Sequence, residues 1–311
     1  MQNFINFQIN KNFMQFLALQ QYQILAYSLA FVALAAASIS DLKKREVPDW
    51  LSYGLLALGF GLAAINALIF GWQVLAYSIA GFALFFIFAY IMFYSGQWGG
   101  GDSKVLMGIG ALLGLQFSFS FPFVDLKDTP FLITFFINLL IISFFYGIFW
   151  SAIIAFNKRG VFTKKFLFYF GRFRTERIVI LVLAFASAFG FVLAKEPYLK
   201  LLLAFAAIFL VFSFYLWLFA KAVDDCMLRF AKPEELTEGD WVAEDVEVDG
   251  KYICGPKDLG IEKIQIEKLL ALKRKGKVKN VLIKEGIPFI PSFLIAFVLS
   301  LFLGNIIGYF I

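Results

Sequence analysis

Two carboxylates, Asp41 and Asp102, each stand at the edge of a long apolar run. Brought together at a membrane face, such a pair shares one proton, because two adjacent carboxylates do not both ionise easily. The charged member can take a proton from water as the water attacks a peptide carbonyl. The neutral member can donate to the developing oxyanion or to the leaving nitrogen. This is the smallest equipment that hydrolyses a peptide bond by acid–base chemistry alone. It needs no histidine, metal or thiolate, and the chain has no histidine and only two cysteines. Ser-His-Asp and Cys-His catalysis and every histidine-ligated metal site are therefore excluded. Cys226 and Cys254 stand 28 positions apart, form no CxxC and cannot build a four-cysteine zinc site. No cofactor and no metal are expected.

Asp102 lies in the run Gly99-Gly100-Gly101-Asp102-Ser103-Lys104. Three glycines before it remove side-chain bulk and permit unusual backbone angles, so that a second extended chain can approach the carboxylate. The plainer reading of the same residues is a hairpin between two helices. Asp49 is the chief rival to Asp41. It lies between Pro48 and Trp50 and reads equally well as a cap of the following helix. Asp224 and Asp225 are adjacent and diverge on a helix, so they make a poor proton-sharing pair. Asp125 and Asp128 belong to the opposite membrane face.

The elements that must position these residues are membrane spans. Hydrophobic residues make up 61% of the 311 positions and charged residues only 16%, and 42 residues are phenylalanine. This composition points to an all-α polytopic membrane protein. About eight apolar runs approach the length needed to cross a bilayer, at roughly 21–40, 51–71, 74–95, 103–120, 131–155, 178–195, 199–221 and 289–310. The first twenty residues read as a short interfacial helix and contain no secretory cleavage pattern.

Charge sets the orientation. The loops after the first span, before the fourth and after the fifth carry eleven basic residues. The other side offers Lys11, Lys127, Lys195 and Lys200. The positive-inside rule puts the eleven in the cytosol and both termini outside. The net charge of +6 thus reflects orientation, with no nucleic-acid partner. Two crossings separate the end of the first span from the start of the fourth. Asp41 and Asp102 are therefore expected at the same, cytosolic, boundary.

The expected organisation is a membrane domain over 1–221 with seven spans, a small soluble cytosolic α/β module over 222–287 and a last transmembrane helix over 288–311. In the module, Trp241 to Val248 reads as a strand, Asp249-Gly250 as a turn and Lys251-Tyr252-Ile253 as a second strand. Ile261 to Lys275 reads as a helix capped by Gly276, and Val278 to Lys284 as a returning strand. Gly286-Ile287-Pro288-Phe289-Ile290-Pro291 reads as helix entry, where proline costs little.

Gly99-Gly100-Gly101-Asp102-Ser103-Lys104 resembles the GxGDxK motif of type IV prepilin and archaeal preflagellin (prearchaellin) peptidases, the GxGD membrane aspartyl proteases. Asp41, with Pro48 seven residues on, resembles that family's other catalytic aspartate. Lys284 to Pro291 resembles its final membrane entry, and Glu238-Gly239-Asp240-Trp241 resembles its archaeal branch. The resemblance implies that Asp41 and Asp102 are catalytic, that Gly99, Gly101 and Lys104 support them, and that short basic leaders are cut at the cytosolic face. It implies archaellin or type IV pilin-like precursors as partners and the plasma membrane as the location. Many bacterial relatives add a four-cysteine zinc site and an N-methyltransferase activity; with two distant cysteines, peptidase activity alone is expected. GxGD also occurs in presenilin-like proteases, whose first aspartate follows tyrosine; here Ser40 precedes Asp41. A transporter using the same acidic residues is the alternative from another class.

Overall fold

Among the described residues, six helices are long and apolar enough to cross a membrane: Leu19–Lys44, Asp49–Phe70, Gln73–Tyr94, Phe131–Asn157, Arg174–Leu193 and Pro197–Cys226. The computed structural model describes residues 2–116, 120–121, 124–125 and 129–309, and what it describes is mostly helical. By the length and apolarity of these helices the chain is a multi-pass membrane protein. Two of the eight predicted spans are shorter. The run at 103–120 yields a helix over Gly100–Leu113 and the run at 289–310 one over Ile290–Leu303, each of 14 residues. At 1.5 Å per residue each is about 21 Å long, short of the roughly 30 Å hydrocarbon layer. The end of the first run, at 117–119, lies outside the described residues. The opening twenty residues do not form a helix of their own, because Gln2–Lys44 is one continuous helix.

The chain divides into two compact units. The first comprises residues 1–147 and 286–311. It contains α1 (Gln2–Lys44), α2 (Asp49–Phe70), α3 (Gln73–Tyr94), α4 (Gly100–Leu113), a two-residue antiparallel pair β1 (Ser120–Phe121) and β2 (Val124–Asp125), most of α5 (Phe131–Asn157), and α10 (Ile290–Leu303). Asp125 is in β2, whereas Asp128 lies outside the described residues.

Helix α4 is buried on all sides because glycine lets its neighbours come close. A Cβ on Gly110 would lie 2.5 Å from the Gly81 carbonyl oxygen, and a Cβ on Gly81 would strike the Gly110 carbonyl in return. A Cβ on Gly59 would lie 2.7 Å from the Leu112 nitrogen. With α2 and α3 at backbone distance, Val105, Leu106, Ile109 and Leu112 reach the core, packed with Phe85, Phe135, Phe293 and Phe297. Several polar groups there are paired, as an apolar interior favours, although the buried Ser52 and Thr134 hydroxyls have no hydrogen-bond partner. Ser78 Oγ donates to the Ala111 carbonyl at 2.6 Å. Asn138 Nδ2 of α5 donates to Ser300 Oγ at 2.8 Å and to the Gly304 carbonyl at 2.7 Å, tying α5 to α10.

The second unit spans 148–285. Part of the basic stretch after the fifth span is a helix that the apolar pattern did not reveal, α6 (Arg159–Arg172), since it has no buried residue. It lies along α8 (Pro197–Cys226), where Phe162 meets Phe219, Lys165 pairs with Asp225 at 2.9 Å and the Tyr169 hydroxyl donates to Asp225 at 3.0 Å. α7 (Arg174–Leu193) packs on α8, with Gly190 close to Leu203. Asp224 pairs with Lys284 at 3.1 Å, so both aspartates of the adjacent pair have partners of their own.

After α8 come β3 (Leu228–Ala231), β4 (Trp241–Val242), β5 (Val246–Val248), β6 (Lys251–Cys254), α9 (Lys263–Arg274) and β7 (Val281–Lys284). The antiparallel sheet has the order β3-β7-β4, and β5 and β6 form a separate hairpin. The strand expected over 241–248 is thus two strands with different partners. Its break follows Ala243, whose amide donates to the Leu282 carbonyl at 2.8 Å. The β5–β6 turn uses positive φ at Asp249 and Gly250, as its sequence predicts. Leu269, Ile261, Val281, Ile283 and Cys254 form the small core.

Both cysteines are free and buried. Burial pushes the Cys254 thiol up to about 11. It is therefore almost wholly protonated at pH 8, and only the thiolate alkylates. In a Cys226→Ser background, iodoacetamide is expected to modify native Cys254 on the order of 100-fold more slowly than the urea-unfolded chain. Equal rates would contradict the burial. Gly110→Val drives a side chain into the α3 backbone and should cost about 1–3 kcal/mol, lowering the thermal midpoint in detergent. Gly61→Val, where the Cβ meets open space, should leave that midpoint nearly unchanged.

Candidate active site

Helix α1 ends just past Asp41. Arg45 takes a positive φ of 57° while its amide still bonds the Asp41 carbonyl at 2.8 Å, and Pro48 then opens α2. Ser40 Oγ closes the turn by donating to the Glu46 carbonyl at 2.8 Å. The Asp41 side chain is only 5% exposed and points into the unit. Its Oδ2 accepts the Ile290 N–H at 3.0 Å, and the Phe289 amide lies close by. The donor is in the first turn of α10, where amides have no intrahelical acceptor and the helix dipole favours negative charge. The Arg45 guanidinium and Tyr146 of α5 lie within electrostatic reach.

Asp102 is the third residue of α4, and its Oδ2 accepts the Gly99 N–H at 3.2 Å. Asp41 is close enough for its charge to act on Asp102, so the bundle brings the two sequence-predicted carboxylates to one site. Within the glycine run it is Gly101 whose smallness matters. Gly99 is extended (φ −74°, ψ 164°) and Gly100 and Gly101 are helical, so no left-handed backbone is used there. A Cβ on Gly101 would lie 3.2 Å from Val47 Cβ, so the loop after α1 rests directly on the first turn of α4.

The ion-pair partner of Lys104 is Asp49. The lysine Nζ pairs with Asp49 Oδ1 at 2.6 Å and lies over the Tyr53 ring, 4.9 Å from its centroid. Asp49, the rival to Asp41, is thus an exposed residue in the first turn of α2 bonded across to α4. Ser103 Oγ donates to the Ala89 carbonyl of α3 at 3.5 Å.

Three features of the site escaped the sequence reading. The Pro-Phe-Ile-Pro entry, read as a helix start alone, supplies the amide that holds Asp41; its two prolines were the available signal. Tyr146 stands among apolar residues at helical spacing and gave none. Trp98 is buried against Phe88 and Phe293, linking the glycine run to α10, and only its neighbourhood to the motif marked it.

Residues 28–156, which include both carboxylates, match the type IV leader peptidase family. Over that segment the chain is similar to the sequences of that family, in keeping with the motifs at Asp41 and Asp102. The chain is 37% identical over 100 residues to a preflagellin peptidase of Methanococcus voltae, covering 32% of this chain and 41% of that protein. It is 31% identical over 134 residues to the preflagellin peptidase of Methanococcus maripaludis, covering 43% and 56%. To a prepilin peptidase of Methanothermobacter thermautotrophicus it is 25% identical over 198 residues, covering 61% and 51%. The chain spans about half the length of the curated relatives it matches.

The contacts of the first turn of α4 separate two contributions. Gly101→Val should displace the loop carrying Val47 and lower stability by about 1–3 kcal/mol. Lys104→Ala removes an exposed ion pair, which is worth less than about 1 kcal/mol. Thermal unfolding of the two variants in detergent is expected to show the first loss to be clearly the larger.

Proposed function

We propose that this protein is a membrane aspartyl endopeptidase that removes short leader peptides from archaellin or type IV pilin-like precursors, with Asp41 and Asp102 as its catalytic carboxylates. The observation that carries this reading is the meeting of the two carboxylates at the first turns of α4 and α10. The names of the relatives, preflagellin and prepilin peptidase, supply the substrate class. Gly99 and Gly101 support the site through close approach, and Lys104 supports it by joining α4 to α2. Water attacks the carbonyl while one carboxylate receives its proton and the other donates. No cofactor or metal enters this chemistry.

In this reading α4 and α10 count with the six longer helices as eight membrane elements. Residues 1–221 form the catalytic membrane domain, 222–287 a cytosolic α/β module and 288–311 the last helix. The plasma membrane holds the protein with its site toward the cytosol and both termini outside, a placement supported by the basic loops.

The test incubates purified protein in detergent with a panel of archaellin and pilin precursor peptides and weighs the products. The wild type should release the leader. Asp41→Asn and Asp102→Asn should each lose at least about 100-fold in rate, with helical content and thermal midpoint retained. Full activity in either folded variant refutes the assignment. Loss in Asp49→Asn with activity kept in Asp41→Asn moves the role to Asp49. Proton or ion flux in liposomes without cleavage supports the transporter instead.

A further inference from the structure

The two carboxylates meet at one site but have different surroundings, and the difference points to separate roles. Asp41 receives an amide hydrogen from the first turn of α10, Ile290 N–H at 3.0 Å, with the Phe289 amide also beside it. The titratable and charged groups that face it are Arg45 from its own helix, Tyr146 from α5 and Asp102 from α4, and α10 contributes amides alone. A carboxylate taken out of water persists as an anion only where donors and a cation replace the water. Asp41 has both. Asp102 has one amide donor, Gly99 at 3.2 Å, and its charged neighbour is the anion Asp41. The lysine of its own motif is engaged by Asp49 at 2.6 Å.

We propose that Ile290 is a positioning residue whose backbone N–H holds Asp41 as the ionised member of the pair, so that Asp41 is the base and Asp102 carries the shared proton. The assignment rests on the peptidase reading above and decides which carboxylate does what. As the water oxygen bonds to the peptide carbon, a water proton passes to Asp41. The Asp102 proton passes to the carbonyl oxygen, leaving a neutral gem-diol. When the C–N bond breaks, the departing nitrogen takes the proton from Asp41 and a gem-diol hydroxyl returns one to Asp102. One water is consumed, an amine and a carboxylic acid are released, and the pair ends as it began.

Two reagents read the protonation states directly. An epoxide is opened by a carboxylate anion. A diazoacetyl compound must first take the proton of a carboxylic acid, then loses dinitrogen and alkylates the resulting carboxylate. Each is incubated with full-length wild-type protein at the pH of maximal cleavage, and the esterified residue is located by peptide mass spectrometry. The expected result is epoxide ester on Asp41 and diazoacetyl-derived ester on Asp102. The reverse pattern, or both reagents on the same residue, overturns the assignment.

A second measurement follows Ile290→Pro, which lacks the N–H, beside Ile290→Leu, which keeps it. Loss of a donor to the anion makes Asp41 harder to ionise. The acid limb of the kcat/KM–pH profile should therefore move about one unit to higher pH in Ile290→Pro and stay at the wild-type position in Ile290→Leu. An unmoved limb in folded Ile290→Pro overturns the proposal. Proline also disfavours the helical backbone of Phe289 before it, so if this variant fails to fold, the labelling of the wild type decides. Failure of the peptidase reading looks different: a wild-type protein that cleaves no precursor defeats that reading, whereas swapped labels on a cleaving enzyme defeat the role assignment alone.

Discussion

A carboxylate inside an apolar helix bundle must find its hydrogen bonds within the bundle, and for Asp41 they come from the other end of the chain. Ile290 lies 249 positions away, yet its amide is 3.0 Å from Asp41 Oδ2. This bond joins the end of α1 to the start of α10 and fixes where α10 begins, since an N-terminal amide without a helical acceptor needs one elsewhere. The apolar face of α10 then follows: Phe293 packs on Trp98, and Phe297 packs on Phe131 and Phe135. Farther along, Asn138 of α5 bonds Ser300 and the Gly304 carbonyl. Polar pairs at both ends of α10, with aromatic contacts between them, hold the donor of Asp41 in register.

The second carboxylate depends on a different kind of contact. Asp102 is carried by a helix with no room for side chains where it crosses α3, and the reciprocal approach of Gly81 and Gly110 sets how deeply α4 sits. Between lipid-immersed helices there is little hydrophobic drive to associate, so close backbone packing through small residues takes over. The same device recurs at Gly101, where the α1–α2 loop rests on the first turn of α4. Gly101 makes room for Val47 and Gly110 brings α4 to the α3 backbone, so the acid is delivered by helix packing rather than by an unusual local conformation.

Much of this could be read in the sequence, and the limits have physical causes. The long apolar runs, including the two helices between Asp41 and Asp102, were legible because hydropathy is a local property. The β5–β6 turn was legible because Asp-Gly prefers the backbone angles found there. The lengths of α4 and α10 were not, because where an apolar run stops being helical depends on what it packs against. The bond from Ile290 to Asp41 was illegible for a stronger reason: a backbone amide leaves no side-chain signature. Helix α6 was missed because its apolar residues stand between basic ones in a short block and form no buried stripe.

The two short helices unite these observations. α4 and α10 each have 14 residues, and each places its first turn at one of the carboxylates. Non-helical backbone at membrane depth is tolerated only where protein covers it or a wet cavity receives it. The segment before α4 is anchored by Trp98, which is 6% exposed and packs in the core, and α10 opens with the Ile290 amide directed at Asp41. Against the expected spans both helices stop early at their C-terminal ends, at Leu113 and Leu303, while their N-terminal ends stay at the acids. An N-terminal amide has no helical acceptor, and a carboxylate beside it supplies one. The start of each helix is thus tied to an acid, and its end is left to the packing around it.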